Sequence, residues 1–201
     1  PPGCLHAAVV EAPIPHGHRL RVDVAAAERV PGVVRVFTAA DIPGENQIGG
    51  IIPDEPLLAD GELHFIGQPV ALVIGDSEAA ARRGAAAVAL SFEELPGTFD
   101  PREAAAAGQL IVPSRTLECG DVDAAWPRCD VVVVGRVDSG GQEHLYFETQ
   151  ATLALPLEGG RLQLLSATQS PTLVQRIAGR VLGLAMNAVE VDVARLGGAC
   201  G

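Results

Sequence analysis

The stretch Gly140-Gly141-Gln142-Glu143-His144-Leu145-Tyr146-Phe147-Glu148-Thr149-Gln150 holds the densest chemistry in the chain. Its eleven residues carry two glycines, two carboxylates, two amides, a His and the only Tyr. Glycines let a backbone approach another group closely. An amide such as Gln142 donates and accepts at once, which suits a neutral oxygen ligand. By residue type and spacing alone, a lone Gln after two glycines is more often a solvated turn residue. Glu143, Glu148 and His144 are types used for acid/base work or metal ligation. No second ligand set accompanies them, so His144 reads as structural and the two Glu as hydrogen-bond partners.

Other residues of chemical interest are more scattered. The last seven, Arg195-Leu196-Gly197-Gly198-Ala199-Cys200-Gly201, form a second Gly-rich segment. Gly197-Gly198 has the makings of a phosphate cradle, a weak signal without a helix start behind it. Cys200 is a candidate reactive thiol, yet no cation nearer than Arg195 would lower its pKa. His16-Gly17-His18 offers two metal-ligating side chains in a Pro- and Gly-flanked loop, where exposed imidazoles are the expectation. Cys4, Cys119, Cys129 and Cys200 lie far apart, which argues against a zinc site, an iron–sulfur cluster or a disulfide framework. They read as small, partly buried hydrophobes.

The elements that must position these segments are built from small side chains. Of the 201 residues 48% are hydrophobic, supplied mainly by Ala and Val, while aromatics are 3%. Such a composition suits thin, closely packed layers of strand and helix. The formal charge is −11 with no Lys/Arg cluster, so no electrostatic footprint for nucleic acid is present. No apolar run approaches the roughly 20 residues that span a bilayer, and no charged segment with an apolar core opens the chain. A soluble protein of the cytoplasm is expected, with neither nucleic acid nor membrane as partner. The chain opens on Pro1-Pro2 without Met and ends inside a Gly-rich loop, and is expected to be a piece of a longer one.

In order, strands are expected at Cys4–Val10, Leu20–Val24 and Val33–Phe37. A helical turn is expected over Ala25–Val30, and Thr38 is a plausible cap for another. Glu45–Asp60 lacks periodicity and reads as a loop. Pro69–Ile74, Glu78–Val88 and Ala89–Glu93 read as strand, Ser77-capped helix and strand, a unit that implies a parallel or mixed sheet. The Pro- and Gly-rich residues 96–120 read as an inter-domain connection, with a helical turn allowed at Arg102–Ala107. Beyond them a short helix at Asp121–Trp126 and a strand at Val131–Val137 lead into the motif. Glu158-Gly159-Gly160 turns a hairpin, and Ser170-Pro171 starts a helix. That helix carries Leu173, Ile177, Val181 and Leu184 on one face and stops at Gly183. Val189–Val193 is the last strand and delivers the chain to Gly197-Gly198.

The wording Gly140-Gly141-Gln142-Glu143-His144-Leu145-Tyr146-Phe147-Glu148 closely resembles the segment of xanthine dehydrogenases and aldehyde oxidases that reaches the molybdenum centre. Gly197-Gly198-Ala199-Cys200-Gly201 resembles the start of that family's second pocket loop. The likeness extends to Val33–Gly44, Gly67–Ala71, Phe92–Pro96 and Thr168–Pro171. Leu117–Ala125 and the motif wording are most similar to the molybdopterin-binding large subunit of bacterial xanthine dehydrogenases.

The fold class this resemblance implies is α+β. An a/b hammerhead domain is expected over residues 1–100, a linker over 101–120, and the first part of a mixed-sheet molybdopterin-binding domain over 121–201. The implied activity is hydroxylation of hypoxanthine and xanthine to urate at a molybdenum–molybdopterin cofactor. Electrons would leave through 2Fe-2S clusters and FAD, carried on a partner subunit, to NAD, which makes a hetero-oligomer the expectation. Gln142 would hold an oxygen ligand of molybdenum from its second shell. Gly198, Ala199 and Cys200 would line the cofactor and Cys200 the substrate. The catalytic base is expected downstream, so this piece alone should be inactive. Two alternatives remain: an aldehyde oxidase-type hydroxylase of the same family, and a shortened, non-catalytic assembly module.

Cys200 stands where the family usually has Phe in its G-G-x-F-G loop. The ring that packs on the purine face is thereby lost, and an aromatic contact of that kind contributes about 1 kcal/mol beyond its buried area. Cys200→Phe in the full-length enzyme is therefore expected to raise kcat/KM for hypoxanthine or xanthine about fivefold. Steady-state kinetics check this, and an unchanged or lower value overturns it.

Overall fold

The structure, a computed structural model, describes residues 3–143, 145 and 147–197. Its contacts divide the chain into two units, residues 1–97 with 146–201, and residues 98–145.

The first unit holds two three-stranded antiparallel sheets and one mixed sheet. β1 (His6–Glu11), β5 (Pro69–Gly75) and β3 (Val33–Phe37) form the first, in that order. β4 (Glu62–Leu63), β2 (Gly17–Asp23) and β6 (Ala89–Glu94) form the second. β5 organises both layers because its side chains alternate across the strand. Ala71 and Val73 enter a core with Val10, Ala27 and Val36, while Val70 joins Ala12, Ala59 and Leu63 on the other side.

Helix α1 (Glu78–Ala87) starts at Ser77, whose hydroxyl accepts from the Ala80 amide. It packs on β1 and β5 through Ala80, Ala81 and Gly84, all buried. A Cβ at Gly84 would come within 2.7 Å of the Val33 and Val73 side chains. The small residues that dominate the composition are what allow this helix to lie so near the sheet.

The strand–helix–strand unit expected over residues 69–93 forms, but not as a parallel pair. β5 is already flanked by β1 and β3, so neither edge is open to β6. β6 pairs antiparallel with β2 instead, with Asp23 opposite Ala89 and Gly17 opposite Glu94. Glu45–Asp60 is irregular as expected. Buried Gln68 ties the segment before β5, its side-chain carbonyl accepting from the His64 amide at 2.7 Å.

The mixed sheet consists of β7 (Thr152–Leu157), β8 (Arg161–Ser166) and β9 (Val189–Asp192). β7 and β8 make the hairpin around Glu158-Gly159-Gly160, and β9 runs parallel to β8. Helix α4 (Pro171–Leu182) makes the crossover that a parallel pair requires. Pro171 stands at its start, and Gly183 ends it in the left-handed region at φ 67°. Val181 is buried on its inner face, and the Gln175 amide donates to the carbonyls of Val189 and Met186.

The last carbonyls of α4 are met from within the helix end and from the loop that follows β3. Leu184 N donates to Gly179 O and Gly183 N to Arg180 O; Glu45 N donates to Arg180 O and Gly44 N to Val181 O. Backbone approaches backbone at Gly44, where a Cβ would lie 2.1 Å from Arg180 O and 2.8 Å from Val181 O.

The second unit contains α2 (Pro101–Ala106), capped by Asp100, and α3 (Val122–Ala125), capped by Asp121. The strand expected at Val131–Val137 does not form: these residues are irregular, with Val131, Val133, Val134 and Val137 well exposed. Strand propensity needs a partner's ladder to be realised, and among the described residues no strand edge pairs with this run.

Two outcomes test this packing. Gly44→Ala forces a methyl into backbone atoms that cannot rotate away, and is expected to cost about 1–3 kcal/mol. Gly50→Ala, where an added Cβ meets nothing within 4 Å, is expected to change stability little; denaturant titration of both compares them.

After Val33–Phe37, the Asp41 carboxylate accepts from the Thr38 amide at 2.8 Å and the Thr38 hydroxyl at 3.0 Å, and pairs with Arg35. These contacts, the Thr38 amide first, hold Asp41 below the usual aspartate range. A carboxyl depressed in the folded state stabilises above its unfolded value of about 4, and that contribution is lost as pH falls through the folded value. The stability gap between the parent and Asp41→Asn is expected to be full near neutrality and to close in acid, as followed by denaturant titration across pH.

Candidate functional site

Gln142 lies in the second unit on an irregular, exposed backbone. Side chains added at Gly140 or Gly141 would meet nothing within 4 Å. Just upstream Arg136 and Asp138 form a two-point ion pair at 2.7 and 3.0 Å, which shapes the approach to the motif. Glu143 accepts from the Leu145 amide at 3.4 Å, a local contact that bends the chain. Leu145 adopts φ 49°. His144, Tyr146, Gly198, Ala199 and Cys200 lie outside the described residues. Nothing is therefore said of their structure.

The first unit brings the tail of the first motif to the head of the second. β7 is antiparallel to β8 with Thr152 opposite Ser166, so its first residue lies at the carboxyl end of β8. β9 is parallel to β8 with Asp192 beside Leu165, so its last residue lies at that same end. The chain entering β7 and the chain leaving β9 therefore pass the same end of the sheet, on either side of β8. The Thr152 and Ser166 hydroxyls bond at 2.8 Å, and Ala167 N donates to Ala151 O, closing this end of the hairpin. The Gln163 amide donates to the Asp192 carboxylate at 2.6 Å, fixing the end of β9.

Beyond the sheet, the partly buried Glu148 carboxylate accepts from the Gly197 amide at 2.5 Å. A Cβ at Gly197 would lie 2.7 Å from Glu148 Cβ and 2.9 Å from its Oε2. Only a glycine leaves room for that approach. The sequence marks Glu148 as a hydrogen-bond partner, but its partner 49 residues away has no local signal and follows only from the sheet register.

Elsewhere His18 pairs with Glu93 at 3.0 Å, and His16 Nδ1 lies 2.9 Å from Pro96 O. The two imidazoles therefore serve separate contacts, and among the described residues no cluster of three or more His, Cys, Asp or Glu is arranged to hold a metal. The donors in the two motifs are a neutral amide and glycine backbone, a set whose chemistry suits an oxygen-rich cofactor that carries its own metal.

Residues 1–96 match the family described as "Aldehyde oxidase and xanthine dehydrogenase, a/b hammerhead domain", and residues 104–201 match the "Molybdopterin cofactor-binding domain". The chain is 38% identical over 205 residues to Xanthine dehydrogenase 1 of Arabidopsis thaliana, covering 100% of this chain and 15% of that protein. It is 34% identical over 199 residues to Aldehyde oxidase 2 of Cavia porcellus, covering 98% of this chain and 15% of that protein. Among solved structures, it superimposes on an aldehyde oxidoreductase from Desulfovibrio gigas with a TM-score of 0.81 at 28% identity, covering 95% of this chain and 23% of that one. Quinoline 2-oxidoreductase from Pseudomonas putida 86 gives 0.80 at 27% identity, covering 98% and 27%. The chain thus spans 15% of the length of the curated relatives it matches.

Proposed function

The chain belongs to the xanthine dehydrogenase and aldehyde oxidase family of molybdenum hydroxylases, and from that premise we propose that it is part of an enzyme that oxidises hypoxanthine and xanthine to urate. The observation that carries this reading is the convergence of two motif segments at the carboxyl end of β8, where Glu148 meets Gly197. In α/β sheets, ligands are characteristically bound outside the carboxyl ends of parallel strands.

The molybdopterin cofactor supplies the hydroxylation and redox chemistry when bound. The residues of this chain bind and orient. Gln142 would donate its amide hydrogen to an oxygen of the cofactor, and the glycines beside it leave open space where a side chain would stand. On the family resemblance, Gly198, Ala199 and Cys200 would border the cofactor, and Cys200 the substrate. Residues 1–100 form the hammerhead domain, 101–120 connect, and 121–201 begin the cofactor-binding domain. The wording of Leu117–Ala125 supports a large subunit whose 2Fe-2S and FAD groups lie on a partner, passing electrons to NAD in the cytoplasm.

A second reading rests on the comparisons themselves. Aldehyde oxidases match at a similar identity, 38% over 189 residues for Aldehyde oxidase 1 of Bos taurus, covering 92% of this chain and 14% of that protein. An aldehyde in place of the purine would use the same cofactor contacts.

Gln142→Ala in the full-length, cofactor-loaded enzyme tests the shared part. Loss of an outer contact to a metal group costs about 10- to 100-fold in activity or metal affinity, and a drop of that size in kcat or molybdenum content is expected. Wild-type values for both overturn the assignment of Gln142. The ratio of kcat/KM for hypoxanthine to that for an aromatic aldehyde separates the purine from the aldehyde reading.

A further inference from the structure

We infer that Glu148 is a positioning residue, whose carboxylate holds the Gly197 amide and so sets where the loop of residues 198–201 begins. The inference rests on the reading that this loop borders the cofactor, and it adds a residue to that site.

The geometry distinguishes this contact from an incidental surface pair. Glu148 is four residues upstream of β7 and Gly197 five residues downstream of β9, so neither backbone is restrained by a ladder. The donor is a backbone amide and its acceptor is a carboxylate. Charge-assisted bonds of this type are about twice as strong as neutral ones. The crowding matches the bond: the position of a Cβ at Gly197 is occupied by Glu148 Cβ, Cδ and Oε2, all within 3.0 Å. An acceptor oxygen of this reach and a glycine are both required, and each sits in one of the two motifs.

The contact also has a direction. Gly197 directly precedes residue 198, so holding its amide fixes the point from which the loop sets out. Glu148 therefore acts on the cofactor through Gly197, not by touching it.

The test uses the full-length enzyme with its cofactor and three variants, Glu148→Ala, Glu148→Gln and Gly197→Ala. Amide exchange of the peptide that contains Gly197 reads the contact; molybdenum content per chain and the separate values of kcat and KM read its consequence. Glu148→Ala and Gly197→Ala are expected to speed exchange at Gly197 and to lower molybdenum content or kcat about tenfold or more, with KM changing less. Glu148→Gln keeps an acceptor oxygen of the same reach and is expected to restore most of both.

Unchanged exchange in Glu148→Ala overturns the contact. Faster exchange with wild-type molybdenum content and kinetics leaves the contact structural and overturns the positioning role. Failure of the Gln variant to rescue overturns the role of the acceptor oxygen. If Gln142→Ala is also silent, the error lies in the assignment of the cofactor site; if Gln142→Ala is impaired, it lies in Glu148 alone.

Discussion

The carboxyl end of α4 is the junction on which the first unit depends. A helix leaves its last carbonyls without intrahelical donors, and here Gly179, Arg180 and Val181 find theirs in Leu184, Gly183, Glu45 and Gly44. The donors at Gly44 and Glu45 come from the loop after β3, in the hammerhead. One set of backbone bonds therefore ends the crossover helix and joins it to a sheet more than a hundred residues earlier in sequence. Gly44 is needed for the approach and Gly183 for the left-handed turn, so the joint is specified by two glycines and no large side chain.

With α4 held there, the mixed sheet follows. The crossover lets β9 lie parallel to β8, and the hairpin sets β7 antiparallel on the other edge. Those two directions leave no freedom about where the flanking segments emerge. The end of the first motif and the start of the second are delivered to one end of the sheet by register alone. The meeting of Glu148 with Gly197 is thus a property of topology, carried on irregular backbone beyond the strands.

Most elements of the first unit were legible because their signals are local. Ser77 before an Ala-rich run, Pro171 after Ser170 and Gly183 after an apolar face mark helix ends, and Leu20–Val24 alternates as a half-buried strand. What periodicity does not encode is pairing. β5 and β6 read as neighbours because a helix joins them, yet β1 and β3 occupy both edges of β5. Val131–Val137 has the composition of a strand and remains irregular because a ladder needs a second edge. The family wording identified Gln142 and the loop from Gly198, but the bond between Glu148 and Gly197 joins residues 49 positions apart. Its warrant is the parallel register of β8 and β9, which appears only once the chain is folded.

A carboxylate, not another strand, is suited to the place where Glu148 acts. Continuing the ladder past Asp192 would have flattened the chain into extended backbone and committed every amide to a neighbour. A single side-chain acceptor holds one amide, that of Gly197, without a further strand. Restraint at one point also limits the entropy lost when a loop is ordered on binding, since part of that ordering is already present. The economy requires that the acceptor be strong, which charge provides, and that the donor carry no Cβ, which glycine provides. Glu148 and Gly197 meet both conditions at the sheet end where the two motif segments converge.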